Sequence, residues 1–199
     1  PEALPAGHRL ALAEAYYHLG LALDAQARAE SALEHLKVAA RLSPSDGRIL
    51  GRAGVACLGA GRTQEGLLLL RQAIDLVEDE ALRHRLQTVF DRGRADALAR
   101  ADAAIQRARL AENEADYRGA LAGYEDALMA DPSRLDAYLR LAWLRGEYFG
   151  DYRRARALLE QAKTMLEGAG GDVDALARVE TALEALEEQQ RQALADEGG

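Results

Sequence analysis

Apolar positions recur at helical spacing along most of the chain, and they recur in pairs of helices. From Ala13 to Asp46, Tyr16, Leu19 and Gly20 share one face. After a break near Ala27, Ala32, Leu36 and Ala39 share a second, and Pro44 closes the stretch. Spacings of three and four predict two amphipathic helices joined by a tight turn. A shift of 34 residues reproduces the pattern from Gly47 to Glu80: Leu50, Ala53 and Gly54, a turn at Gly61, then Gly66, Leu70 and Ala73, with Glu78 where the closing proline would stand.

The pattern returns from Ala101 to Arg134, with Ala104 and Ala108 in a weak first helix and Asp116, Tyr117, Ala120, Tyr124, Ala127 and Pro132 in a strong second half. A fourth unit begins at Leu135. It carries Tyr138, Leu141 and Ala142, turns through Gly150, Asp151 and Tyr152 with one extra residue, and continues with Ala155, Leu159 and Ala162.

A 34-residue helix-turn-helix period of this kind resembles the tetratricopeptide repeat (TPR) family: a large residue, Leu and Gly in the first helix, Ala, aromatic and Ala in the second, then Pro. The resemblance lies in joint spacing over four units. It implies an all-α, right-handed α-solenoid of TPR helix-turn-helix repeats, with an inserted helix and a C-terminal capping helix. The expected organisation is a lead-in over 1–12, two units over 13–80, the non-repeat insert over 81–100, two units over 101–169, and the capping helix with a polar tail over 170–199.

Within the insert, Leu82, Leu86, Val89 and Phe90 form a helical face and Gly93 is a plausible break; the segment either extends the stack or acts as a hinge. After the turn at Gly168 to Gly171, Asp172 suits an N-cap, and Leu176, Val179, Leu183 and Leu186 form one apolar stripe above a polar tail. Repeat stacks need an end helix with one wet face.

Composition narrows the function. Only three Ile and two Phe are present, so sheets have little to be built from. A net charge of −8 argues against a generic nucleic-acid surface. Arginine outnumbers lysine 23 to 2, the bias of a GC-rich, bacterial genome. No apolar run is long enough for direct membrane insertion. A single cysteine, Cys57, forms no internal disulfide and sits where the repeat expects a buried residue. It leaves the compartment open: a cytoplasmic location is expected, or a periplasmic one if a signal segment was removed.

Chemistry is sparse. His8, His18, His35 and His84 have no metal-ligand spacing among themselves or with Cys57. The stretch Gly59 to Thr63 lacks the Lys and strand of a phosphate loop and falls on a turn. No catalytic residue, no metal and no cofactor is expected, and the chain is read as a non-enzyme.

The resemblance further implies that each unit's first helix lines a concave groove. By register the groove-facing positions are Glu14, Tyr17, His18, Leu21 and Asp24; Arg48, Arg52 and Val55; Ile105, Gln106 and Arg109; and Asp136, Leu139, Arg140 and Trp143. The partner-binding residues expected from this set are Tyr17, Leu21, Arg48, Arg52, Arg109, Leu139, Arg140 and Trp143, with Trp143 either a contact or buried against the capping helix. Tyr17 and Leu21 stand where chaperone-binding members place Lys and Asn, so that carboxylate clamp is not reproduced. The function expected is a protein–protein interaction scaffold holding a peptide or helix of a partner; the alternative is a structural module that self-assembles through solenoid ends into a homo-oligomer or fibre.

Overall fold

The computed structural model describes residues 5–197; residues 1–4 of the lead-in and 198–199 of the tail lie outside it. Every regular element among the described residues is an α-helix: α1 (Ala6–Ala25), α2 (Ala29–Leu42), α3 (Gly47–Gly59), α4 (Thr63–Leu76), α5 (Glu80–Asn113), α6 (Tyr117–Ala130), α7 (Leu135–Phe149), α8 (Tyr152–Gly168) and α9 (Val173–Glu197). Aspartates start many of them. Asp46 accepts from the backbone N–H of Arg48 and Ile49 at 2.9 and 3.3 Å, Asp116 from Gly119 at 2.9 Å, and Asp172 from Asp174 and Ala175 at 3.0 and 3.2 Å. Each carboxylate satisfies N–H groups that the first helical turn leaves without partners.

The helices form two compact units, residues 1–97 and 98–199. In the first, α1 packs on α2, α2 on α3 and α3 on α4. Its core is built from Leu36, Ile49, Leu50, Leu70 and small residues such as Ala39, Ala53 and Ala73. Leu82, Leu86, Val89 and Phe90, from the N-terminal part of α5, pack against this core. In the second unit the C-terminal part of α5 contributes Ala104, Ile105 and Ala108 to a core with Tyr124, Leu141 and Leu144. Tyr138, Leu159, Val179 and Leu186 join α7, α8 and α9.

The two units are built on one plan. Moving 88 residues along the chain carries α2 (29–42) onto α6 (117–130), and Gly47, the first residue of α3, onto Leu135, the first of α7. Buried alanines repeat at this interval, Ala13 with Ala101, Ala32 with Ala120 and Ala39 with Ala127. Ala27 and Ala115, at the corresponding turns, both hold the left-handed backbone, with φ of 57° and 60°. One extra residue before α8 moves the interval to 89, and Leu70 and Leu159 then match. The 34-residue period is exact between the starts of α2 and α4, at 29 and 63. On this plan the N-terminal part of α5 stands to the first unit as α9 stands to the second.

Close helix approach explains the small residues. A Cβ built on Gly20 would lie 2.7 Å from Leu36 Cγ, and one on Gly66 would lie 2.9 Å from the Gly54 carbonyl oxygen. Such distances let neighbouring helices interlock at interior density.

Three expectations are corrected. Gly93 marks no break: α5 runs through it, because its missing side chain admits Leu58, whose Cδ1 would lie 2.9 Å from a Cβ there. Helix α1 starts at Ala6, inside the stretch 1–12 read as a lead-in, since Ala, Leu and Arg there are good helix formers. Leu19, expected to share one face with Tyr16 and Gly20, is 44 % exposed, because the buried stripe of α1 runs through Ala13, Gly20 and Leu23 instead.

Candidate functional site

Each unit carries a recess beside the first helix of its second hairpin, and the two recesses differ. In the first unit, α3 offers Arg48, Gly51, Arg52 and Val55 on one face, an i, i+3, i+4, i+7 pattern. Facing them are Tyr17 from α1 and Leu82, Arg85, Leu86 and Val89 from α5. The cavity between measures about 400 Å³. Gly51 lets the cap approach: a Cβ there would meet Leu86 Cδ2 at 2.8 Å.

Charge surrounds this apolar floor in an ordered way. Arg48 donates through Nη2 to Glu14 at 2.7 Å and to Asp46 at 2.9 Å. These hydrogen bonds raise the Arg48 pKa and fix it as a cation. Its guanidinium also lies 5.9 Å from the Tyr17 ring centre. Arg52 donates to Asp24 on α1. Arg85 is exposed and its Nε donates only to its own helix, to the Ala81 carbonyl at 3.3 Å; it forms no ion pair among the described residues.

The corresponding place in the second unit is full. Gly51 matches Leu139, Arg52 matches Arg140 and Val55 matches Trp143, each 88 residues on. Leu139 and Trp143 line a remnant of about 70 Å³ against Ala182, Ala185 and Leu186 of α9. The Arg140 guanidinium lies 4.1 Å from the Trp143 ring centre, and Trp143 meets Tyr148 edge-on at 5.4 Å, which in turn stacks on Tyr117 at 3.6 Å. Arg140 grips Glu112 through Nε, at 2.9 and 2.7 Å to the two carboxylate oxygens, and through Nη2. Burial works to raise the Glu112 pKa, but hydrogen bonds from Arg140 and Tyr124 and the charges of Arg140 and Arg109 outweigh it and hold it below the ordinary carboxylate value. The Tyr124 hydroxyl, buried and donating to this carboxylate, is pushed up to about 12.

Arg109, Glu112, Asn113, Tyr124, Asp136 and Arg140 surround a second, polar recess of about 390 Å³. Its charges are already mutually paired, with Arg109 3.8 Å from Asp136.

The residues selected from sequence therefore fall into two groups. Tyr17, Arg48 and Arg52 meet at the open recess of the first unit, while half-buried Leu21 lies on α1 outside its lining. Arg109 and Arg140 share the polar recess, and Leu139 and Trp143 lie against α9. Ile105, placed in the groove by register, is 2 % exposed and belongs to the core of the second unit, since α5 is covered there by α6 and α7. Sequence reasoning missed Leu82, Arg85, Leu86 and Val89 as lining residues. The apolar stripe of 82, 86 and 89 was visible, but nothing in it indicated a partly uncovered edge.

Cys57 is buried, and desolvation pushes its thiol up to about 11, so its nucleophilic thiolate form is disfavoured at neutral pH. No cluster of three or more His, Cys, Asp or Glu side chains able to hold a metal ion occurs among the described residues. No helix among them is long and apolar enough to cross a membrane.

No protein-family model and no curated protein matches the chain. Solved structures similar to it include the TPR domain of P58(IPK), at 16 % identity and a TM-score of 0.42 over 90 % of this chain. The match takes in 54 % of that chain, so the present sequence spans about half its length. A thermophilic TPR protein of Thermus thermophilus matches at 21 % identity and a TM-score of 0.35, over 86 % of this chain and 98 % of its own. MamA 41-end from Desulfovibrio magneticus RS-1 matches at 18 % and 0.35, over 79 % and 96 %. By the 34-residue register of its own helical hairpins, the chain is similar in fold to tetratricopeptide-repeat proteins.

Proposed function

We propose that this chain is a non-enzymatic interaction scaffold whose first unit holds a segment of a partner protein in the recess between α1, α3 and α5. One observation carries the reading: the same place in a duplicated plan is open where Gly51 and Val55 stand and closed where Leu139 and Trp143 stand. An apolar floor with a few charged groups at the rim is the usual composition of a binding recess. Arginine and tyrosine at the rim are residue types that dominate interface energy. The buried Cys57 thiol, with its raised pKa, and the paired carboxylates fit a scaffold better than a catalyst.

The test is a pull-down comparing the intact chain with Val55→Trp, which rebuilds in the first unit the plug of the second, after circular dichroism has established equal helicity. A partner kept by the intact chain and lost by the variant supports the reading. A partner held equally by both moves binding to another surface.

A further inference from the structure

We infer that the recess of the first unit receives an aromatic side chain of a partner segment that carries an acidic residue beside it. The inference rests on the groove reading above and names what the groove selects.

The chain itself contains the template. In the second unit an aromatic side chain, Trp143, stands next to the arginine of an interhelical Arg–carboxylate pair, 4.1 Å from the Arg140 guanidinium. In the first unit the same pair, Arg52 with Asp24, is present, but Val55 occupies the aromatic position. The carboxylates of the two pairs differ in exposure. The Glu112 side chain, hydrogen-bonded by Arg140 and Tyr124, is 9 % exposed, whereas Asp24, in a unit with Leu36 at the Tyr124 position, is 44 % exposed. The empty space is about 400 Å³, with Val89, Leu82 and Leu86 as an apolar wall and the Arg52 guanidinium at the edge. A planar ring entering there stacks on the Arg52 guanidinium, as Trp143 does on that of Arg140 in the second unit.

Charge completes the specificity. Arg48 is occupied by Glu14 and Asp46, and Arg52 by Asp24, but Arg85 on the opposite wall has no carboxylate partner among the described residues. An acidic side chain adjacent to the aromatic anchor meets that cation, whereas a basic one is repelled by it, the other two arginines being balanced by their own carboxylates.

The experiment titrates the isotope-labelled full chain with three blocked tripeptides, Asp-Trp-Asp, Asp-Ala-Asp and Lys-Trp-Lys, and follows backbone amide resonances by NMR. Asp-Trp-Asp is expected to shift Gly51, Val55 and Leu86 at least tenfold more tightly than either other peptide. Val55→Trp and, independently, Gly51→Leu are expected to abolish those shifts while leaving the second unit's resonances in place. Equal response to the alanine peptide, or none to any, overturns the aromatic anchor; the groove reading still stands if Val55→Trp loses a pulled-down partner. Equal response to Lys-Trp-Lys overturns the acidic half. Concentration-dependent dimerisation of the free chain that Val55→Trp abolishes and the tripeptide fails to inhibit also overturns the inference, passing the recess to a second copy of the chain.

Discussion

Arg140 and Glu112 are joined by a multiple contact from α7 to α5, with Nε at 2.7 and 2.9 Å from the two carboxylate oxygens. Arg52 and Asp24, 88 residues earlier, make the corresponding contact from α3 to α1. The two pairs share their place in the repeat and differ in burial. A neighbouring pair is kept in sense but exchanged in position: Arg48, two residues after Asp46, meets Glu14, whereas Arg134, two residues before Asp136, meets Asp102 at 2.6 Å.

Burial sets the energetic contrast between Arg140 and Arg52. Arg140→Ala strands a carboxylate that is 9 % exposed, and is expected to cost about 1–3 kcal/mol. Arg52→Ala leaves an exposed Asp24 and is expected to cost about 0–1 kcal/mol. Urea unfolding followed by the fluorescence of Trp143, the only tryptophan and a residue of the second unit, reads the first; helicity by circular dichroism reads the second.

Acid sensitivity follows from the depressed Glu112 pKa. A group whose folded pKa lies below its unfolded value stabilises the fold above the unfolded value and loses that contribution as pH falls through the folded one. The expected loss therefore begins below the ordinary carboxylate value of 4.5 and deepens further into acid. Glu112→Gln is expected to flatten this acid limb of the Trp143-detected stability curve while lowering stability at pH 7.

Ala27 and Ala115 hold the left-handed backbone with φ of 57° and 60°, where a Cβ is strained by about 1–2 kcal/mol. Glycine removes that strain at some cost in chain entropy. Ala27→Gly and Ala115→Gly are each expected to gain a few tenths to about 1 kcal/mol, read as a rise in thermal midpoint.

Two glycines distinguish packing from propensity. A Cβ on Gly66 meets the backbone oxygen of Gly54 at 2.9 Å, which no rotamer change relieves, so Gly66→Ala is expected to cost about 1–3 kcal/mol. Gly59, at the last position of α3, has nothing within 4 Å, so Gly59→Ala is expected to be neutral or to gain up to about 1 kcal/mol. Chemical denaturation of the two variants beside the parent decides it.

Cys57 is buried and its thiol is raised to about 11. At pH 8 the thiolate is roughly 200-fold scarcer than in an unfolded chain with a pKa of about 8.5, so modification by a thiol reagent is expected to be at least about a hundredfold slower in the native protein. Equal rates with and without urea would place Cys57 at the surface.

The sequence by itself determined the helical hairpins, because their signal is local. The spacing of Ala32, Leu36 and Ala39, the turn residues Gly61 and Gly150, and the aspartate caps all act within a few residues of one another. It also determined the family likeness, through register. Tertiary structure decided what register leaves open. Whether Gly93 breaks a helix or admits Leu58 depends on α3, more than 30 residues away. Ile105 and Tyr17 occupy equivalent positions in their repeats, yet one is core and the other lines a recess, because the helices packed on them differ. The recess is a deficit of volume, Gly51 and Val55 where Leu139 and Trp143 stand, and such a deficit becomes a cavity only once the opposing wall of Leu82, Leu86 and Val89 is in place.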